Sequence, residues 1–214
     1  MGAECKMKLA DARLHTDFSK AFARRNKLFE QQFLQWAFYP GMLFSSREKW
    51  WGDMGRRQTP HEGLDIGFFL DLLRKPVPIP SHAVVPVMFQ GEVLAFGEDD
   101  FFGYTLYVKH PAMQDRGRVL CTIYGHVTPH PDLCPGRIVQ KGEIIASVSD
   151  FGKPKSGITA HLHLSVAWMV ESSTREPLTW KMMNDPRKFQ LIDPMVFFTD
   201  SYSMIDSIAL QNLP

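Results

Sequence analysis

The sequence predicts a mainly β protein, a sandwich or barrel, with a helical segment at its N-terminal end. Three observations predict it. Short apolar runs of strand length recur between residues 77 and 170, separated by turn residues such as Gly97-Glu98-Asp99-Asp100 and Gln140-Lys141-Gly142-Glu143. Strict alternation marks residues 159–166, where Leu162, Leu164 and Val166 alternate with His161, His163 and Ser165. Before residue 40 the large apolar side chains instead recur at helical spacing: Leu14, Phe18, Phe22, Phe29, Phe33 and Trp36.

In that first segment Arg13, Asp17, Lys20, Arg24, Arg25, Lys27 and Glu30 fill the polar positions. Thr16 reads as an N-cap and Tyr39-Pro40-Gly41 as a stop. The aromatic face should pack on the main domain, with the basic side solvated. The expected organisation is a helical extension over 1–45, a β domain over 46–200 and a tail over 201–214. Trp50-Trp51, ahead of Gly52, read as core or rim packing.

Residues 59–69 contain His61-Glu62-Gly63-Leu64-Asp65. The helical His-Glu-x-x-His zinc motif does not fit, because Asp65 stands in the fifth place and Pro60, Gly63 and Gly67 disfavour a helix. Read as extended, His61, Gly63 and Asp65 share a face, Gly63 leaves open space between the other two, and Glu62 points elsewhere. Residues 83–89 form a strand in which Pro86 marks an edge or bulge. Strands follow over 90–97, 105–110 and 118–127; in the last of these Tyr124 and His126 fall on one face, with Gly125 between. The proline-rich stretch 128–136 is a loop that carries His130 at the surface. A strand over 144–148 leads to a basic loop, 150–157, and then to the His161-Leu162-His163 strand, read as half-buried, with both imidazoles on its polar face. Residues 174–188 read as polar and irregular, 192–198 as an apolar run closing the core, and everything from Thr199 on as a tail or short helix.

Size and charge bound the function. A chain of 214 residues fits one main domain, and 44% hydrophobic residues give it a core. A net charge of +1 speaks against a general nucleic-acid binder, and no apolar window is long enough to cross a bilayer. No signal peptide is visible in Met1-Gly2-Ala3-Glu4-Cys5-Lys6-Met7-Lys8. The expected compartment is the cytoplasm as written, or the periplasm or exterior if a leader was removed. Cys5, Cys121 and Cys134 lack zinc-knuckle spacing; Cys121 reads as a core thiol.

Four imidazoles and one carboxylate, those of His61, Asp65, His126, His161 and His163, converge if their strands are neighbours. That set suits a catalytic zinc site: three ligands leave the fourth position to water, and two further histidines move protons or stabilise a tetrahedral intermediate. The spacing alone does not say which histidine of the final pair is a ligand.

Together these segments resemble the lysostaphin-type (β-lytic) zinc endopeptidases. The matching elements, in order, are His61-Glu62-Gly63-Leu64-Asp65-Ile66, Gly91-Glu92-Val93, Tyr124-Gly125-His126-Val127, Lys141-Gly142-Glu143-Ile144-Ile145, His161-Leu162-His163-Leu164 and Asp193-Pro194. The resemblance implies a mostly antiparallel fold of the duplicated-hybrid-motif type. It implies Zn2+ held by His61, Asp65 and His163, with His126 and His161 as the catalytic pair. It further implies hydrolysis of a peptide or peptidoglycan substrate, often next to glycine or D-alanine. The chain departs from the family at Lys155-Ser156-Gly157-Ile158-Thr159-Ala160 and at Ser165, changes that bear on substrate preference and remove no ligand. The competing expectation is a non-catalytic regulator or binding module on the same fold. A phosphocarrier would need one reactive histidine rather than a ligand set. The N-terminal segment is expected to extend the core, the alternative being that it lies over the groove and inhibits.

Overall fold

The structure, a computed structural model, describes residues 16–98, 103–149, 158–175 and 178–206. Its elements in chain order are α1 (Phe18–Arg25), β1 (Phe33–Phe38), β2 (Leu64–Ile66), β3 (Phe68–Asp71), β4 (Pro76–Pro78), β5 (Val84–Pro86) and β6 (Gly91–Glu98). There follow β7 (Tyr104–Asp115), β8 (Arg118–Pro129), β9 (Ile138–Val139), β10 (Ile144–Val148), β11 (Leu162–Val170), β12 (Phe189–Ile192) and β13 (Tyr202–Met204). The protein is mainly β, as expected, and its sheets do not close into a barrel.

A nine-stranded sheet runs β12-β11-β8-β7-β6-β9, with β2 joined to β11 and the β10–β5 pair joined to β8. A four-stranded sheet has the order β13-β1-β3-β4. Among these pairings only β1–β13 is parallel.

The N-terminal segment is only partly helical. α1 ends at Arg25; Lys27 and Gln32, at φ 53° and 61°, bracket a short 3-10 turn, and Phe33 begins a strand. The helical spacing of Phe33 and Trp36 has another origin. The register between β1 and β3 shifts between Phe33 and Gln35. That irregularity lets two rings three residues apart meet, with centroids 5.0 Å apart, where a regular strand would put them on opposite faces. The N-cap of α1 is Asp17 rather than Thr16, and its side chain makes no capping hydrogen bond; Thr16, one residue earlier, accepts from the Phe18 N–H at 3.1 Å and donates to Met88 O at 3.2 Å. Phe18 and Phe22 then pack into the main core beside Trp36. The C-terminal segment is neither tail nor helix over 202–204: it pairs there with β1, Trp36 opposite Tyr202. Leu14, Cys5, Asp99-Asp100, the loop 150–157 and residues 207–214 lie outside the described residues.

β11 is buried on both faces rather than one. Leu162, Leu164, Val166 and Trp168 enter the main core, while Ala167 and Met169 join a second cluster with Cys121, Ile123, Met183 and Phe189. His161, His163 and Ser165 continue the line of this second face, and all three are buried. Cys121 is a core thiol, its pKa pushed up to about 12 by burial; Cys134 is exposed.

Candidate metal centre

Three pieces of backbone bring the five side chains together. β2 lies antiparallel to β11, with Asp65 directly opposite His163. His61 precedes β2 and is fixed by Ser45 N–H donating to its carbonyl and by its own N–H donating to Ser46 O, both at 2.9 Å. Gly63 leaves no open space. A Cβ there would stand 2.4 Å from Leu164 O and 2.6 Å from His163 Nε2, so the residue is glycine because the two strands approach too closely for any side chain.

His126 arrives by a bulge. Along β7 and β8, Leu106 faces Tyr124 while Tyr104 faces Val127, so one extra residue is inserted on β8. His126 takes φ 60°, the left-handed region. Tyr124 and His126 therefore do not share a face. Tyr124 and Val127 belong to the main core, Gly125 lies opposite His163 on β11, and the His126 ring sits 4.9 Å from that of His161 and 6.0 Å from that of His163.

The innermost atoms are His61 Nε2, Asp65 Oδ1 and His163 Nδ1. Their separations are 3.1 Å (His61–Asp65), 2.9 Å (His163–Asp65) and 3.1 Å (His61–His163). His61 Nδ1–H donates to Leu43 O at 3.0 Å, so its Nε2 carries a lone pair. Ser165 Oγ, 2.9 Å from His163 Nε2, is placed to accept that nitrogen's proton and leave Nδ1 a lone pair as well. In that tautomer three acceptors face one another with no donor among them, an arrangement that a divalent cation satisfies at once. The ligand edges of a tetrahedral zinc site are roughly 3.3 Å, given bonds of about 2.0–2.1 Å. His161 stands beside the triad, Nε2 3.8 Å from Asp65 Oδ1, its Nδ1–H given to Thr159 O at 2.9 Å.

The electrostatics follow from burial. Desolvation pushes the His161 pKa down to about 3 and that of His163 to about 4, so both imidazoles are neutral and keep lone pairs. For Asp65 burial acts upward, but the imidazoles of His61, His161 and His163 packed around it outweigh that and hold the carboxyl well below its ordinary range.

Three partners of this centre carried no motif. Trp50 Nε1–H donates to Asp65 Oδ2 at 2.7 Å, and its ring packs edge-on against His161 at 4.9 Å. Arg57 lies over the Trp51 ring and brings Nη2 within 3.6 Å of the same Oδ2. Trp180 lies against His163, ring centroids 4.8 Å apart, and stacks on His126 at 6.1 Å and 20°. Glu62 points away, as expected, and accepts from Asn184 Nδ2 at 3.0 Å. His130 is at the surface near Asp132.

No protein-family model matches this sequence, and no curated protein matches it either. Solved structures do. One is a zinc-containing peptidase from Vibrio cholerae, 22% identical over 63% of this chain and 37% of that one, with a TM-score of 0.41. Another is the antimicrobial peptidase lysostaphin from Staphylococcus simulans, 17% identical over 77% of this chain and 48% of that one, TM-score 0.42. A third is LytU, 17% identical over 72% and 80%, TM-score 0.42. The chain thus spans less than half the length of the first two. The structural neighbours of this chain are peptidases of the lysostaphin type.

Proposed function

We propose that this protein is a zinc metalloendopeptidase that cleaves peptide bonds, with peptidoglycan cross-links as its substrate. The observation that carries the reading is the convergence of His61 Nε2, Asp65 Oδ1 and His163 Nδ1, all on buried side chains, within 3.1 Å of one another. These three would hold the ion. Zinc bound there supplies a Lewis acid and a water whose pKa is lowered toward neutrality. The protein's own groups do the rest. Ser165 and Leu43 fix the ligand tautomers, and Trp50 and Arg57 hold the outer oxygen of Asp65, so that Oδ1 faces inward. His161, whose Nδ1–H donates to Thr159 O, would act as the proton acceptor through Nε2. His126, brought in by the bulge, would donate to a developing oxyanion.

Elemental analysis of the purified protein, paired with digestion of purified peptidoglycan, tests this. One zinc per chain and release of muropeptides that stops on chelation are expected. A protein that binds no zinc under zinc-replete conditions refutes the ligand assignment. Stoichiometric zinc without hydrolysis of any peptide refutes the enzyme.

A further inference from the structure

The proposed ligands are almost inaccessible: His61, Asp65 and His163 are 3%, 2% and 2% exposed. Catalysis at such a centre would need a path from the surface to the fourth ligand position. Trp180, on the 3-10 strap Trp180–Asn184, lies against the centre. One part of its ring touches His163 and stacks on His126. The strand beneath makes room for it. A Cβ on Gly125 would stand 3.0 Å from Trp180 Cζ3 and 3.3 Å from Cη2, so a side chain at residue 125 would press the indole outward. Trp180 also lines a surface groove of about 230 Å³, together with Gly97, Glu98, Thr105, Leu178 and Lys181. One indole therefore stands between an open groove and a closed site.

The strap is well placed to let the ring move without moving itself. Met183 anchors it, buried in the second core cluster. Asn184 latches its far end to Glu62, one residue from His61, through a hydrogen bond at the surface. Trp180 is only partly buried and has the groove on its outer side.

We propose that Trp180 is the gate of the metal centre: the position seen here closes it, and rotation of the indole admits an extended peptide lying in the neighbouring groove. This inference rests on the zinc reading above.

The test is the rate of zinc release. Zinc-loaded wild type, Trp180→Ala and Trp180→Phe are mixed with excess EDTA and the loss of metal is followed by stopped flow. Release from Trp180→Ala about tenfold faster than wild type, with Trp180→Phe between them, is the expected result for a side chain that gates access. Equal rates in all three, with one zinc bound to each, overturn the gate and leave the zinc reading standing. No zinc in any of them overturns the zinc reading and the gate with it. Should Trp180→Ala not fold, Trp180→Phe against wild type gives the same decision. Gly97→Leu addresses the groove, because Gly97 lines it and a Cβ there meets nothing within 4 Å. It should raise KM for fluorogenic peptides with Gly-Gly or D-Ala bonds and leave zinc release unchanged. An unaltered KM removes the groove from the substrate's path.

Discussion

Two buried imidazole clusters lie on opposite faces of β8, and they differ in how their polar atoms are matched. On the core face His110 is 0% exposed. Its Nδ1–H donates to Gln90 O at 3.0 Å, and its Nε2 lies 2.9 Å from the Thr122 hydroxyl, which is 3.0 Å from that of Tyr124. Met88 N–H completes the chain by donating to Tyr124 Oη at 2.9 Å. Each atom there has a complementary partner. On the other face His61, Asp65 and His163 turn acceptors toward a common point. Burial lowers the pKa in both places, to about 4 for His110 and for His163 alike, so desolvation does not tell them apart. Matching does. A satisfied histidine supports the fold, and a cluster of unopposed lone pairs asks for a cation.

The sharpest way to break this comparison is to remove one imidazole from each cluster. His163→Ala should lose zinc by more than about 100-fold in affinity, beyond what outer partners cost, when measured by competition with a chromogenic chelator. His110→Ala should keep full zinc stoichiometry but lose about 2–4 kcal/mol of stability in urea unfolding, from a cavity and two unmatched partners. If His110→Ala loses zinc instead, the two clusters are not independent.

Acid should test the matched cluster next. The unfolded imidazole of His110 binds a proton near pH 6.5, while the folded one resists until about 4. Stability from this residue is therefore complete above 6.5 and declines as the pH falls toward 4. Urea midpoints across that window should fall less steeply in His110→Gln than in the parent chain. Parallel slopes would show that His110 is not the residue buried neutral.

A smaller effect separates ligand from support. Trp50→Phe keeps the ring against His161 but deletes the N–H on Asp65 Oδ2, and zinc affinity should fall by about 10–100-fold. Unchanged affinity would mean that Arg57 holds Asp65 without help.

The parts of the fold that the sequence announced are those where local pattern and tertiary environment agree. Leu162, Leu164 and Val166 alternate and face the core, and residues 144–148 form the strand expected of them. The His61, Asp65 and His163 side chains meet because β2 and β11 pair, and the glycines around them mark close approach. Register irregularities hid the rest. The one in β1 gives Phe33 and Trp36 a spacing that reads as a helix, and the bulge in β8 turns His126 to the face opposite Tyr124. Nothing local to residues 33–36 or 124–127 reveals an inserted residue, because it is defined only by the partner strand. Trp50 and Trp180 were illegible for another reason. An aromatic residue that covers a site has the same composition as one that fills a core, and Trp180 is separated from His126 by more than fifty residues of chain.

The φ of 60° at His126 has a meaning of its own. For a residue with a β-carbon that torsion costs about 1–2 kcal/mol, and glycine would occupy it freely. The chain therefore carries a bulky ring where its own backbone would choose none. Replacing that ring by glycine would relieve the backbone of this strain at the bulge.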